Sequence, residues 1–347
     1  MKKKLVYLFC LPLIVSCCKN DESIPDVSGI KVELQVHRFE KDFFAADTND
    51  ISGSMRRLSA KYPVFLKDFL GNILGIPMPD SNPDASFAIK KFLADYKPVK
   101  DSSDLVFKNF DVLAADVKKG LQFLKYYFPS YNPPQQLITF IGPMDAFAVG
   151  TLGGYGDIIT TGALGAGLQL HLGKNSSYYN NQIGQQLYPS YISQRFEPAY
   201  IPVNCMKNII DDMYPDQTEG KSLLEIAIDR GKRLYILDLL LPHTADTLKI
   251  GYTQKQLQGC IENEGLIWNF LADNNLVYET DFLKIKSYIS DGPKTAELGD
   301  GSPGYISLFT GRQIIREFMK KFPDTKLQEL MLFDSKKILN DSKYKPK

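Results

Sequence analysis

The chain is poor in the residues that build metal sites and nucleophilic sites. Its 347 residues include only three histidines and five cysteines. The histidines, His37, His171 and His243, each stand alone, whereas a zinc hydrolase needs two imidazoles on one helical face, a further ligand and a general base. Neither a glycine-rich nucleotide loop nor a complete nucleophile-elbow motif can be fitted to the sequence. The residue inventory therefore predicts no cofactor, no bound metal and no catalytic site.

An excess of charge of one sign is also missing. The chain has 41 lysines and arginines against 40 aspartates and glutamates, which gives a formal net charge of +1. Proteins that bind nucleic acid present a basic stripe, often interleaved with aromatic residues, and none is visible here. We therefore expect no nucleic-acid partner.

Long apolar runs are missing except at the N-terminus. Residues 5–15 form one (LVYLFCLPLIV), and three lysines precede it at positions 2–4. This run is much shorter than the ~20 apolar residues that a helix needs to cross a bilayer, and Pro12 interrupts it. A basic start followed by a short apolar core is typical of a signal peptide, so we predict that residues 1–16 are one.

The end of this segment resembles a lipid-attachment signal. Residues 14–17 read Ile-Val-Ser-Cys and resemble the bacterial lipobox, whose cysteine receives fatty acyl chains such as palmitate and becomes the mature N-terminus. The resemblance implies lipidation of Cys17; the alternative is ordinary cleavage that leaves a spare cysteine. Each buried methylene contributes about 0.8 kcal/mol, so two or three chains hold a protein at a membrane surface. We expect a lipoprotein of the cell outer membrane that faces the periplasm or the cell surface.

The rest of the chain divides simply. Residues 17–29 are polar and charged and contain Pro25, so they predict a flexible tether. No linker rich in proline, serine or glycine follows, and we predict a single globular domain over residues 30–335 and a basic, solvated tail over residues 336–347. Cys205 and Cys260 remain in this domain. The sequence is compatible with a disulfide between them and with two separate buried thiols.

Apolar residues recur at three- and four-residue steps along much of the chain, which is the spacing of amphipathic helices. Short β-rich runs separated by glycines and prolines interrupt this pattern at residues 137–141, 147–149 and 157–161. These patterns predict an α+β fold, predominantly helical, with a small central antiparallel sheet. The predicted helical segments are 51–74 with a break at Pro63, 84–96, 102–128, 200–213, 222–241, 253–273 and 305–322.

A cluster of tyrosines is the candidate partner-binding surface. It consists of Tyr178, Tyr179, Tyr188 and Tyr191 in a setting rich in asparagine and glutamine. Exposed rigid rings concentrate affinity at protein interfaces, so these tyrosines are expected to anchor a partner. The alternative is that they pack a long loop onto the body of the protein.

Several sequence blocks together resemble the gliding-motility lipoprotein GldB family of Bacteroidota. The similarity spans essentially the whole mature chain, and its order and spacing are more specific than any single block. It implies a structural or scaffolding role in an envelope protein complex that serves gliding motility, protein secretion or outer-membrane protein assembly. The blocks are residues 14–17, 37–44, 167–173, 191–202, 223–242, 250–253 and 302–315.

That family is also distantly similar to zinc metallopeptidases of the gluzincin type, which carry an HExxH helix and a glutamate ligand on the next helix. In this sequence the ligand positions hold Asn204, Asn208 and Asp229, and Cys205 replaces the glutamate that activates water. An asparagine amide binds zinc far more weakly than an imidazole. The resemblance implies a degenerate metallopeptidase-like scaffold without metal, and the alternative is that the pair of helices is coincidental.

Two other functions stay open. The first is a hydrolase of the envelope, with or without a metal, that uses Asp157, His171 or Glu197 in a cleft. The second is a surface lipoprotein that binds a glycan or a peptide, for which a row of exposed aromatic residues around an open groove is expected.

Overall fold

The computed structural model describes residues 24–346, apart from the side chains at positions 81, 83, 148, 149, 154 and 155. The predicted signal peptide, the predicted lipidation site Cys17 and the first part of the tether lie outside the described residues. Between residues 24 and 346, no helix combines the length and the apolar character that a membrane-spanning segment requires.

A four-stranded sheet lies between two helical layers. Its strands stand in the spatial order β1 (Gln35–Arg38), β2 (Gln136–Phe140), β6 (Ala163–Gly167) and β5 (Ile158–Thr160). A separate antiparallel hairpin consists of β3 (Ala148–Gly150) and β4 (Gly153–Tyr155).

Alternate residues of the central strands supply two different cores, because successive side chains of a strand point to opposite faces. Leu137 and Leu164 belong to a large core that contains most of the later helices. Ile138, Phe140 and Ala163 belong to a smaller core with the first helices of the chain. The sheet is therefore covered on both faces.

The sheet is mixed, whereas the sequence predicted an antiparallel one. β2 pairs in parallel with both β1 and β6, and only β5 runs antiparallel to its neighbour. Parallel neighbours need a long crossover, which the helices between Arg38 and Gln136 supply for the first pair. The predicted β-rich runs all lie between residues 137 and 161, so they did not indicate the parallel pairing of β2 with the distant strand β1.

Helices account for 57% of the structure, so the prediction of a predominantly helical α+β fold is confirmed. The α-helices are α1 (Phe39–Phe44), α2 (Ile51–Lys61), α3 (Phe65–Asp68), α4 (Pro83–Val106), α5 (Asp111–Tyr127), α6 (Ser177–Asn180), α7 (Gln182–Leu187), α8 (Ser190–Ser193), α9 (Tyr200–Met213), α10 (Leu223–Leu240), α11 (Asp246–Ile250), α12 (Gln254–Glu262), α13 (Glu264–Asp273), α14 (Phe282–Ile289), α15 (Ile306–Lys321), α16 (Leu327–Leu332) and α17 (Ser335–Ser342). A π-helical turn, Phe69–Ile73, continues α3, and 3₁₀ turns occur at Pro79–Ser81, Leu168–Leu170 and Ala296–Leu298.

Aromatic rings dominate the smaller core. Phe39 lies in edge-to-face contact with Phe65 and Phe69, with ring centroids 5.0 and 4.9 Å apart, and Phe43 also meets Phe69 at 5.0 Å. Such pairs each add about 0.5–1.5 kcal/mol to the effect of burial alone. They fix α1, α3 and the π-helical turn against the sheet.

An ion pair between a partly exposed arginine and a buried glutamate joins the first strand to the rest of the fold. The Arg38 Nε donates to Glu40 Oε1 at 2.7 Å, and the Thr139 hydroxyl donates to the other carboxylate oxygen. The Arg38 guanidinium also donates to the Phe107 carbonyl at 3.1 Å. Burial raises the pKa of Glu40, and the Arg38 charge and the hydrogen bonds oppose that shift. The end of β1 is thereby joined to β2 and to the C-terminal end of α4.

Two glycines allow α10 and α15 to approach closely. A Cβ atom at Gly311 would lie 1.7 Å from the Ala227 carbonyl oxygen, and one at Gly231 would lie 2.3 Å from Gly311. Main chain therefore meets main chain at this crossing. The contact needs glycine on both helices.

The segment predicted as a solvated basic tail is packed against the body. α17 lies within residues 336–347 except for its first residue, and Ile338 is fully buried. The Tyr344 hydroxyl donates to Glu264 at 2.7 Å, and its ring meets Trp268 at 5.3 Å. The lysines of this segment mask an apolar face, which explains why composition alone suggested a tail.

Candidate functional site

A stripe of polar side chains runs along α9, which is otherwise apolar and buried. It consists of Asn204, Lys207, Asn208 and Asp211, spaced so that all four lie on one face of the helix. The first three are buried and Asp211 is partly exposed. Burying polar groups costs free energy unless they are bonded, so the partners of this stripe define the candidate site.

Asp157 and His171 form the deepest part of the site. Asp157 immediately precedes β5 and His171 follows the 3₁₀ turn after β6, and each is only 1% exposed. The His171 Nε2 lies 3.0 and 2.9 Å from the two carboxylate oxygens of Asp157. The carboxylate also accepts from the Asn204 amide at 2.7 Å and from the Gly167 N–H at 2.9 Å. All of these groups converge on one buried carboxyl group.

Both ring nitrogens of His171 face acceptors. The Nδ1 lies 3.2 Å from the Glu197 carbonyl oxygen, while the Nε2 faces Asp157. Each ring nitrogen thus has an oxygen atom within hydrogen-bond distance, and the ring is shielded from solvent. The Glu197 carboxylate lies elsewhere, accepting from the Lys174 N–H at 3.3 Å.

The middle of the stripe holds the turn of the β3–β4 hairpin. Thr151 and Leu152 form this turn and are both buried. Lys207 donates to the Leu152 carbonyl at 3.3 Å, Asp211 accepts from the Thr151 N–H at 3.1 Å, and the Tyr305 hydroxyl donates to the Thr151 carbonyl at 2.9 Å. Hairpin turns usually lie in solvent, so these three bonds replace the water that would otherwise satisfy the main chain.

Tyr305 is itself in an unusual conformation. Its φ of +62° lies in the left-handed region, which non-glycine residues occupy at a cost of order 1–3 kcal/mol. The Arg230 guanidinium stacks over its ring at 4.4 Å and donates to the Ile289 carbonyl at 2.8 Å. The Tyr252 hydroxyl donates to the Tyr305 carbonyl at 2.9 Å. These contacts hold the ring so that its hydroxyl reaches the hairpin.

The exposed end of the stripe is an ion network. Arg233 is 1% exposed and donates to Asp211 at 3.0 Å and to Asp229 at 2.8 Å. Asp229 thus serves as an ion-pair partner on α10, while Asn204 is bound to Asp157. No group of three or more histidine, cysteine, aspartate or glutamate side chains in residues 24–346 is placed to hold a metal ion. The likeness to metallopeptidases finds no support in these contacts.

A family model described as "Gliding motility protein GldB" matches residues 20–346, nearly the whole chain. The chain belongs to the GldB family. No curated protein and no solved structure matches it. The sequence resemblance to this family is thereby confirmed.

Two sequence blocks that resemble the GldB family contribute directly to the polar site. Residues 167–173 include His171 and the Gly167 N–H that binds Asp157. Residues 302–315 begin just before Tyr305 and include Gly311, the glycine of the α10–α15 crossing. A third block, residues 37–44, contains Arg38 and Glu40. These three blocks therefore contribute to internal contacts of the fold.

The tyrosine cluster does not form the exposed surface that the sequence predicted. Tyr179 and Tyr188 are buried and pack edge-to-face on Phe196, with ring centroids 4.9 Å apart in each case. The Tyr179 hydroxyl donates to the Gln169 carbonyl at 2.6 Å. The loop folds back through three short helices and buries these rings, as the alternative reading expected. Tyr178 and Tyr191 are partly buried, and their role in binding stays a prediction.

The two cysteines of the described chain are buried thiols and are not paired. Burial raises the pKa of Cys205 well above its usual range, and Asp157 adds to the shift. Burial also raises the pKa of Cys260 to about 12. Both thiols therefore stay protonated and act as small core residues.

Lys207 carries a testable pH dependence. Burial lowers its pKa to about 7 and Arg195 adds to this, while Asp291 and Asp211 oppose it. The unfolded lysine titrates near about pH 10.4, so between about pH 7 and 10 the unfolded chain holds a proton that the folded chain lacks. The wild-type free energy of unfolding should therefore rise with pH across this interval. Relative to wild type, Lys207→Met should be most stabilising below about pH 7, and this advantage should decline steadily as the pH rises to about 10.

Urea unfolding of both proteins at a series of pH values measures this difference. Lys255→Met is the matched control, because it makes the same replacement at an exposed lysine. A Lys207→Met stability difference that varies with pH no more than that of Lys255→Met would contradict the buried, proton-releasing lysine.

Proposed function

We propose that this GldB-family chain is an outer-membrane lipoprotein that acts as a non-catalytic scaffold in an envelope complex. The complex would serve gliding motility, protein secretion or outer-membrane protein assembly. The lipobox-like residues 14–17 support anchoring through Cys17, and the family description supports the link to gliding motility. The near-zero net charge supports a protein partner over a nucleic acid.

The observation that carries the scaffold proposal is the closed hydrogen bonding of the Asp157–His171 pair. Among the residues that the structure describes, this pair most resembles a catalytic dyad. Its carboxylate is bonded to the Gly167 N–H, the His171 Nε2 and the Asn204 amide. The other imidazole nitrogen, Nδ1, lies within hydrogen-bond distance of the Glu197 carbonyl oxygen. A pair bound in this way joins the sheet, α9 and the following loop, and that is a structural role.

His171→Gln separates the scaffold from a hydrolase. A glutamine amide can occupy the position of the imidazole Nε2 and donate to Asp157, but it cannot relay a proton. The scaffold proposal predicts that a gliding strain that relies on this variant spreads at the wild-type rate, provided that immunoblots show equal protein levels. Loss of spreading at equal protein level and equal melting temperature would support the hydrolase instead.

The anchor is tested by Cys17→Ala in the same strain. We expect this variant to leave the membrane fraction and to lose function, because the body of the protein would no longer be held at the outer membrane. Normal membrane fractionation of Cys17→Ala would refute the anchoring part of the proposal without bearing on the scaffold part.

A further inference from the structure

A groove of about 930 Å³ runs along the free edge of the central sheet. One wall is β5 together with the turn Thr161-Gly162 that follows it. The other walls are contributed by the α3 end and π-helical turn on one side and by the C-terminal part of α9 on the other, with residues 131–136 at one end. The groove therefore lies between the two helical layers that cover the sheet.

The main chain of β5 offers unused hydrogen-bonding groups to this groove. In a hairpin closed by a two-residue turn, the residues next to the turn bond to each other, and the following pair does not. Here Thr160 pairs with Ala163 next to the turn, so the N–H and C=O of Ile159 point away from β6. Within residues 24–346 these two groups have no hydrogen-bond partner.

A side chain beside this edge is also unsatisfied. The hydroxyl of Thr160 is shielded from solvent and has no partner within the described part of the chain. Buried hydroxyls are nearly always bonded, so this one is an exception next to the sheet edge. The outward-facing main chain of Ile159 makes the edge itself a template for an added strand.

The charges around the groove are of one sign. Asp68 and Asp212 are its only charged lining residues within the described chain. Asp68 accepts from the Asn72 amide at 3.4 Å and Asp212 from the Tyr131 hydroxyl at 2.6 Å, and neither carboxylate has a cationic partner among residues 24–346. A ligand with lysine or arginine side chains would complement both carboxylates.

We propose that this edge groove binds an extended, basic peptide segment of a partner protein, which adds to the sheet beside β5. Main-chain hydrogen bonds to Ile159 give the segment its register, and lysine or arginine side chains reach Asp68 or Asp212. This inference names the class of partner that the scaffold would bind, and it therefore rests on the scaffold proposal. Its test uses binding alone, so a failed motility experiment and a failed binding experiment can be told apart.

The test uses the intact chain and two defined probes. These are an end-capped peptide of alternating lysine and valine, and its counterpart of alternating glutamate and valine. We expect saturable binding of the lysine peptide, at least about tenfold weaker binding of the glutamate peptide, and slower hydrogen exchange of residues 158–162 in the complex. Equal binding of the two peptides, no saturable binding of the lysine peptide, or protection confined to another surface would overturn the proposal.

Variants at the edge sharpen the test. Ile159→Pro removes the outward N–H, which β6 does not use, and should abolish binding, whereas Ile159→Ala retains the N–H and should keep it. If the proline variant does not fold, the pair Asp68→Asn and Asp212→Asn replaces it and should weaken the lysine peptide about tenfold. Unchanged affinity in the folded proline variant, or in the double asparagine variant, would refute the edge as the binding site.

Discussion

Replacing Gly311 by alanine is expected to lower the free energy of unfolding by about 3 kcal/mol or more, because α10 and α15 would have to separate. The added Cβ would stand 1.7 Å from the Ala227 carbonyl oxygen and 2.5 Å from its carbon. These are main-chain atoms in the middle of a helix, so no side-chain rotation can relieve the overlap. Chemical denaturation monitored by circular dichroism measures the loss.

Gly259→Ala is the matched control. Gly259 lies within α12, and a Cβ there meets nothing within 4 Å. Alanine is favoured over glycine in a helix interior by up to about 1 kcal/mol, so this variant should be as stable as wild type or more stable. If Gly311→Ala also proved neutral, the close main-chain crossing of α10 and α15 would be wrong.

Removing the buried carboxylate of Asp157 should have a comparably large effect. Asp157→Ala leaves the His171 imidazole, the Asn204 amide and the Gly167 N–H without their common acceptor. A buried polar group that loses its hydrogen-bond partner costs about 1–3 kcal/mol, and three such groups lose theirs here. We expect a loss of that size in the free energy of unfolding, measured by urea titration near neutral pH.

Asp273→Ala provides the comparison for this variant. Asp273 is exposed at the C-terminal end of α13, where a negative charge is slightly unfavourable to the helix. Its removal should change stability by less than about 0.5 kcal/mol. An Asp157→Ala protein as stable as this control would show that the carboxylate does not organise the site.

Helices were the most predictable part of the fold. The predicted segments 200–213, 222–241 and 305–322 agree within one residue at each end with α9, α10 and α15, since amphipathic spacing extends over their full length. The predicted break at Pro63 falls between α2 and α3. By contrast, α4 continues through Pro98 to Val106, so the predicted end near residue 96 was wrong. A proline removes one helical hydrogen bond, and packing on the body outweighs that loss here.

Strand β1 could not be predicted from local pattern. It has only four residues, its side chains are exposed or partly buried, and its partner β2 lies about a hundred residues further along the chain. The sequence predicted individual residues of the site but not their arrangement. It offers Asp157 and His171 as separate candidates, whereas their contact with each other and with Asn204 depends on the tertiary fold. The signal that was missed is the polar spacing of Asn204, Lys207 and Asp211 on an apolar helix.

The position of β1 determines how the protein would respond to mechanical load. A pull on the residues that precede Ile24 would first extract Val27, which is fully buried, and break the bond between the Ile30 carbonyl and Gln122. The tension would then act along the axis of β1. The main-chain hydrogen bonds between β1 and β2 would all be loaded at once, and the Arg38–Glu40 ion pair would oppose further extraction. The N-terminal segment of the described chain would thus enter the fold through a joint that is loaded in shear.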